Sequence, residues 1–358
     1  MNRIKIRCKV VNGFLVALMY SAAIGCAQSE PSPVAQGVGP AKLISASRLS
    51  MGSTLTLSAW TTEESAATHA FDEVFAEFTR LERFMSTWIP DSDVSRANRE
   101  AGVRPVRVSA ELRDVLKTAR QMSEWTGGRF DVTFGVLSGL WKFDHDQDNA
   151  IPDMREVRRR LPLIDHRAIH VDDAAGTVFV ARKGMSMHLG GIGKGYAVDR
   201  GARLLRQRGI RDFMIQSGGD IYVAGMRDGR PWRLGIQDPR APANRTFAEL
   251  DLTDGTLSTS GDYEQYFLKD GRRHHHILDP ATGEPARGAR SVTIVSNRAV
   301  LADGLSTGAF IMGPDAGMAL IERLPDVEGV IVSDKNEVLI SSGLRDKVRI
   351  VAPPTDAP

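Results

Sequence analysis

The sequence predicts an α+β fold of largely antiparallel sheets flanked by helices. Short apolar runs separated by turn residues crowd the middle of the chain, and the helical stripes do not alternate with them one for one. The composition, 42% hydrophobic and 25% charged over 358 residues, supplies a sizeable core and excludes disordered, collagenous and coiled-coil classes.

The first element is a leader. Arg3, Lys5, Arg7 and Lys9 open the chain, and no acidic residue precedes Glu30. An apolar run over residues 14–20 and small residues over 21–26 follow. This order describes an export signal over 1–25, too short and wrongly flanked for a spanning helix. It lacks an Arg-Arg pair, which points to the Sec route. Ala23-Ile24-Gly25-Cys26 resembles a bacterial lipobox, with Ala23 where Leu is usual. The expectation is a lipidated Cys26 as the new N-terminus; ordinary signal-peptidase cleavage is the alternative. Residues 26–41, rich in Pro, Gly, Ser and Ala, read as a flexible tether. Without the four leader cations the chain carries 42 basic against 44 acidic residues, a net of −2 in place of +2. Cys8 leaves with the leader, so no internal disulfide forms, and no basic stripe invites nucleic acid.

One domain is expected over 42–350, followed by a tail over 351–358. Residues 51–57 alternate like a strand. Thr62-Glu63-Glu64 opens a helix with the stripe Phe71, Val74, Phe75, Phe78, Leu81 and Met85. Ser109 is placed to cap a second helix, striped by Leu112, Val115, Leu116, Ala119 and Met122, that stops at Gly127-Gly128. Strands are expected around 169–171, 177–180, 185–189, 213–216 and 221–223, interrupted by a helix over 195–208. Strands near 291–295, 329–333 and 338–341 bracket helices over about 300–312 and 315–324.

Four motifs carry the chemistry. The glycine cluster from His188 to Tyr196 suits a backbone cradle for a phosphate, with Lys194 to neutralise it, or else a tight turn beside a solvated lysine. It is neither a Walker A loop nor a dinucleotide fingerprint. Ser217-Gly218-Gly219-Asp220 reads as a hairpin turn or a second cradle. Asp303 and Thr307, four apart, offer hard oxygens on one helical face suited to Mg2+; the alternative is a helix cap and a hydroxyl bonded back to a carbonyl. In His274-His275-His276, adjacent side chains alternate and cannot share one metal. His274 and His275 are expected in solvent, leaving one histidine for acid/base work. Trp88, Trp141, Tyr263 and Tyr266 are candidate stacking surfaces or core residues. No Gly-x-Ser-x-Gly elbow or nucleophilic cysteine context is present.

Taken in order, these motifs, together with Met51-Gly52-Ser53, Ser86-Thr87-Trp88, Phe130-Asp131-Val132-Thr133, Thr259-Ser260-Gly261-Asp262-Tyr263 and the run from His276 to Gly283, resemble the ApbE family of FAD:protein FMN transferases over about residues 45–345. The resemblance implies a T-fold-like α+β enzyme that splits FAD with Mg2+. It would release AMP and join FMN through a phosphoester to a Thr or Ser of a partner, typically a subunit of a membrane redox complex. By motif position, Met51, Trp88, Arg129, Phe130, Asp131, His188, Lys194 and His276 would bind FAD. Asp303, Thr307 and the Gly191 carbonyl would hold Mg2+, with Asp303 and His276 catalytic. His188 stands where the family usually has Asp, and Gly193 where Ala is frequent. The implied location is the periplasmic side of the inner membrane, anchored through Cys26. A Mg2+-dependent FAD pyrophosphatase and a non-catalytic flavin-binding lipoprotein are the competing functions.

Overall fold

The computed structural model describes residues 40–143, 146–242 and 245–357; the leader, Cys26 and the tether up to residue 39 lie outside them. The described chain begins with β1 (Lys42–Ser50), turns through Met51-Gly52 and returns as β2 (Ser53–Thr61). Both turn residues have positive φ, 50° and 76°, which matches the twist of the flanking strands. The strand expected from Met51 therefore starts at Ser53, and Met51 sits at a hairpin tip.

Helix α1 (Glu64–Met85) buries the expected stripe. After α2 (Asp93–Arg99) and β3 (Val106–Arg107), α3 (Ala110–Trp125) opens where Ser109 Oγ accepts the Leu112 N–H at 3.2 Å. It closes before Gly127 and Gly128, both at positive φ. Helix α4 (Met154–Arg160) precedes β4 (Ile169–Asp172) and β5 (Thr177–Val180), which join β3 in a small sheet. The strand expected over 185–189 does not form. The Asn98 side chain takes both the N–H and the carbonyl of Met187, at 2.7 and 2.9 Å, and the His188 N–H donates to Val132 O at 2.8 Å. The run's backbone is thus satisfied by a side chain and a loop, with no ladder to join.

Helix α5 (Gly193–Gln207) leads into β6 (Phe213–Ser217) and β7 (Asp220–Ala224), then β8 (Trp232–Gln237), β9 (Thr246–Leu252) and β10 (Asp254–Gly261). A small hairpin, β11 (Tyr266–Lys269) and β12 (Arg272–His275), precedes β13 (Ala289–Ser296). Helices α6 (Ala299–Met312) and α7 (Pro314–Arg323) and strands β14 (Val327–Ser333), β15 (Val338–Ile340) and β16 (Val348–Ile350) complete the chain.

Eight strands form the main sheet in the order β1-β2-β6-β7-β10-β13-β14-β15, every neighbour antiparallel. One face packs Leu55, Leu57 and Ile215 on α1 and α5, and Val292, Ile294 and Ile331 on α6 and α7. The other buries Val223, Leu257 and Val330 beneath a three-stranded sheet of β16, β9 and β8, through Trp232, Phe247 and Leu250.

His274 and His275 are not in solvent; they are 6% and 2% exposed. His274 stacks on Phe267 and Trp141, with ring centroids 5.1 and 5.9 Å apart, inside a separate apolar cluster. His275 sets Nε2 2.9 Å from Ala286 O and meets Phe310 edge-on. Both faces of this short strand are covered, so polarity was a poor guide to exposure. Burial holds the His275 imidazole neutral and pushes its pKa down to about 3.

The helices that frame the site cap each other. Neither α5 nor α6 has a side-chain cap from its own preceding residue. Asp199, on α5, accepts the Ala299 and Val300 N–H groups that start α6, at 2.8 and 3.0 Å. Asp303, on α6, accepts the Gly195 N–H in the first turn of α5, at 2.8 Å. Gly195 permits this approach, since a Cβ there would stand 2.4 Å from Ala299 O and 2.6 Å from Asp303 Cβ.

Three outcomes follow for stability. Asp199→Ala, read by urea unfolding, is expected to cost about 1–2 kcal/mol by stripping the α6 cap, and Gly195→Ala about 3 kcal/mol by overpacking the crossing. His275 binds its proton in the unfolded chain below about pH 6.5 but in the folded chain only near pH 3. Its contribution to stability is therefore lost as pH falls through that window, by up to about 1.4 kcal/mol per unit. His275→Gln should unfold with a measurably shallower acid slope between those limits.

Candidate active site

The tips of two hairpins, the N-terminus of α5 and one face of α6 enclose a cleft of about 470 Å³. All residues expected to bind FAD or metal border it: Met51, Trp88, Arg129, Phe130, Asp131, His188, Gly191, Lys194, His276, Asp303 and Thr307. Trp141 borders it too, although its side chain is core, stacked on Phe143 and donating Nε1–H to Gly283 O at 2.8 Å. Among the described lining residues, Tyr263 and Tyr266 do not occur.

The floor is glycine-built. Gly191 faces α6, where a Cβ would lie 3.3 Å from Thr307 Oγ1 and 3.4 Å from the Phe130 ring. The second cradle is also a hairpin turn: Ser217 pairs with Asp220 across Gly218-Gly219, and a Cβ on Gly219 would strike Thr259 O at 2.7 Å. A Cβ on Gly218 would lie 3.6 Å from Ser53, beside the Met51 hairpin, and 3.8 Å from Lys194 Cε. Both tips therefore converge on Lys194.

Lys194 is ion-paired, not merely solvated: Nζ lies 3.7 Å from Asp220 Oδ2, with the side chain 26% exposed. Burial works against its charge, but Asp303, Asp220 and Glu264 outweigh it and raise its pKa. The carboxyls respond in kind. Burial pushes Asp303 up to about 7; Asp220 adds to the shift, while Lys194 and the Gly195 N–H oppose it. Burial likewise raises Asp220, which accepts from Ser258 Oγ, and Glu264, with Lys194 opposing in each case. Three carboxyls thus share one ammonium.

Asp303 is a cap, as one reading of the motif had it, but of the neighbouring helix, and it lies in the second turn of its own. Thr307 Oγ1 is 3.1 Å from Ser260 Oγ and 3.5 Å from the Asp303 carbonyl. Among the described residues no three His, Cys, Asp or Glu cluster as metal ligands. Asp303, Thr307 and Gly191 all border the cleft, and a carboxylate, a hydroxyl and a carbonyl are the oxygen types that suit Mg2+.

Asp131 borders the cleft, yet its carboxylate is occupied: it accepts Thr133 N–H and Oγ1–H, and its second oxygen the His166 N–H, with His166 Nδ1 3.1 Å away. Arg129 reaches both oxygens of Asp279, at 2.8 and 2.7 Å, tying the Phe130 loop to the turn after His276. His188 Nδ1 accepts the Gly190 N–H at 3.1 Å, and its ring meets Phe134 edge-on, so the imidazole shapes the glycine loop. His276 sets Nδ1 3.3 Å from Gln265 O. Trp88 is 60% exposed at the rim. Asp220 and Ser260 lie inside the motifs without a role of their own, Asp199 lies three residues beyond the glycine cluster, and nothing in the sequence marks Glu264 or His166.

The sequence model of the ApbE family matches residues 51–331. A protein of Treponema pallidum named FAD:protein FMN transferase is 32% identical over 79% of this chain and 82% of its own length. A Klebsiella pneumoniae protein of the same name is 30% identical over 85% and 93%. The crystal structure of the ApbE protein of Thermotoga maritima superposes with a TM-score of 0.79 at 30% identity, covering 86% of this chain and all of that one. The flavin transferase ApbE of Vibrio cholerae gives 0.77 at 28% identity, over 86% and 100%. The converging glycine loops, the paired helices and these matches lead to one assignment: the chain belongs to the ApbE family.

Proposed function

We propose that this protein transfers FMN from FAD to a hydroxyl of an acceptor protein, forming a phosphoester and releasing AMP. Its relatives' names support the transfer. The observation that supports it in this chain is the acid-rich cleft: Asp303 and Asp220, both buried, and the exposed Glu264 surround Lys194, an arrangement that favours a cation arriving with the pyrophosphate. Asp303, Thr307 and the Gly191 carbonyl are the oxygens to hold magnesium, which would neutralise the pyrophosphate and polarise its phosphorus. Lys194, in the first turn of α5, takes phosphate oxygens, aided by the positive end of the helix dipole.

His276 receives the acceptor. With its proton on Nδ1, beside Gln265 O, the ring presents Nε2 to accept the hydroxyl proton. The hydroxyl oxygen then bonds to the FMN phosphorus as the bond from that phosphorus to the bridging oxygen breaks, and the bridging oxygen departs with AMP. Such a step asks for alignment and charge neutralisation above all. Trp88 and Phe130 offer surfaces for the flavin or adenine rings.

We further propose that the protein is exported, lipidated at Cys26 and held at the periplasmic side of the inner membrane, where it modifies Thr or Ser on subunits of membrane redox complexes. The basic, apolar and small-residue order of the leader supports this. Among the described residues no helix is long and apolar enough to cross a membrane. Mass spectrometry of the mature N-terminal peptide is expected to find a diacylglyceryl Cys26; an unmodified terminus contradicts the anchor.

The function is tested by incubating the protein with FAD, Mg2+ and membranes of the producing cell, then reading flavin fluorescence on a denaturing gel beside released AMP. Label on protein, matched by AMP and abolished by EDTA, is expected. AMP and free FMN without labelled protein would mark a pyrophosphatase, and intact FAD a binding protein. Asp303→Asn is expected to lower the rate at least about 100-fold at saturating FAD. His276→Ala should lower transfer by about 100-fold or more while leaving FAD affinity within a few-fold.

A further inference from the structure

The segment expected as a C-terminal tail is strapped to the fold. After β16, the Val351 and Ala352 N–H groups donate to Phe247 O at 2.9 and 3.2 Å. Thr355 gives both its N–H and its hydroxyl to Asp238 Oδ2, at 2.9 and 2.7 Å. Asn336 Nδ2 donates to Pro354 O at 2.9 Å, and Arg290 Nη1 to Thr355 O at 3.2 Å. Asp238 and Arg290 are 1% and 6% exposed, so the anchors of this strap are interior groups.

The contacts continue toward the cleft. Asp238 Oδ1 accepts the Arg240 N–H at 3.0 Å, and Arg240 makes a bidentate pair with Asp262, at 2.6 and 2.8 Å. The Arg290 carbonyl accepts the Asp262 N–H at 3.0 Å, a second route from the strap to the same residue. Burial works to raise the Asp238 pKa, but the hydrogen bonds from Thr355 and Arg240 outweigh it and hold the carboxyl below its ordinary value. Asp262 opens the turn over 262–265, between the end of β10 and the start of β11. At the far end of that turn Gln265 O accepts the His276 N–H at 3.1 Å and lies 3.3 Å from Nδ1 of the same residue. Gly261, Glu264 and Gln265 border the cleft; Asp238, Arg240, Arg290 and Thr355 do not, so FAD does not account for them.

We propose that the C-terminal strap positions the base of the transfer step: by fixing Asp262 it sets the 262–265 turn, and with it the Gln265 carbonyl that orients His276. Thr355, Asp238 and Arg240 are then positioning residues, acting through Asp262 and Gln265. The proposal rests on the transfer reading above. An anchor that served only the chain end would stop at Asp238. Here a buried ion pair carries the contacts on to the turn beside His276, and Arg290 reaches that turn independently. A displaced base costs rate steeply, because proton transfer demands hydrogen-bond geometry.

The test uses the full mature protein in three altered forms: Thr355→Val, which removes the hydroxyl donor, Thr355→Ser, which retains it, and a deletion of residues 353–358. Transfer at saturating FAD is read as AMP released with labelled acceptor, and FAD affinity as quenching of flavin fluorescence. The His276 ring is read by NMR of nitrogen-15 histidine, assigned with His276→Ala, and urea unfolding checks the fold of each form. The deletion is expected to lower kcat at least about tenfold and Thr355→Val about threefold, with FAD affinity held within about twofold. In both forms the His276 ring signals should shift or broaden, and Thr355→Ser should keep the original rate and signals. An unchanged kcat in the folded forms, whatever their stability, overturns the proposal. So does a loss of FAD affinity that parallels the rate, a His276 signal that stays in place while the rate falls, or a Thr355→Ser form no better than Thr355→Val. If the deletion fails to fold, Thr355→Val decides by the same readouts. If the unaltered protein labels no acceptor, the transfer reading fails, and the His276 signals alone decide the strap.

Discussion

Two aspartates, each capping the other's helix, hold the candidate site together. A helix start exposes N–H groups that need acceptors, and neither α5 nor α6 has a side-chain cap from its own preceding residue. Asp199 and Asp303 exchange that service across the helix crossing, and Gly195 lets the backbones approach. The arrangement fixes the Asp303 carboxylate against the first turn of α5. One oxygen, Oδ2, takes the amide, and the group stands four residues before Thr307 on the same helix. A residue proposed for metal binding is therefore also part of the scaffold, which ties the site's geometry to the fold's stability.

The remaining architecture delivers groups to that crossing. Antiparallel pairing in the main sheet brings the Met51-Gly52 and Gly218-Gly219 turns to the same end, where Lys194 enters between them. Glycine recurs where backbone must come close, at Gly191 against Thr307 and at Gly219 against Thr259. Asp220 and Glu264 keep Lys194 charged yet leave the cluster acid-rich. That imbalance separates this cleft from a simple anion hole: Lys194 alone does not offset its neighbours, so phosphate affinity should depend on a bound cation.

Periodicity made the helices legible. The stripes of α1 and α3, and the serine cap of α3, stand where side-chain spacing put them. Residues 185–189 carry strand-like alternation but no ladder, because the pattern cannot tell a neighbouring strand from the Asn98 side chain as hydrogen-bond partner. Strand β12 contains only Arg and His, so no apolar signal announced it, and two of its histidines are core residues. The residues named from motif order all border one cleft. The reciprocal caps, the Asp220–Lys194 pair and the Glu264 carboxyl were beyond motif order, since they join residues brought together only by the fold.

The central claim is that the α5–α6 crossing gathers the Gly191 carbonyl, Asp303 and Thr307 into a cation site that receives the FAD pyrophosphate beside Lys194. The most direct measurement is a crystal structure with FAD and manganese, using anomalous scattering to locate the metal. The account predicts a manganese peak coordinated by those three oxygens, with the pyrophosphate between it and Lys194. A metal bound elsewhere, or a pyrophosphate lying away from the N-terminus of α5, would contradict it.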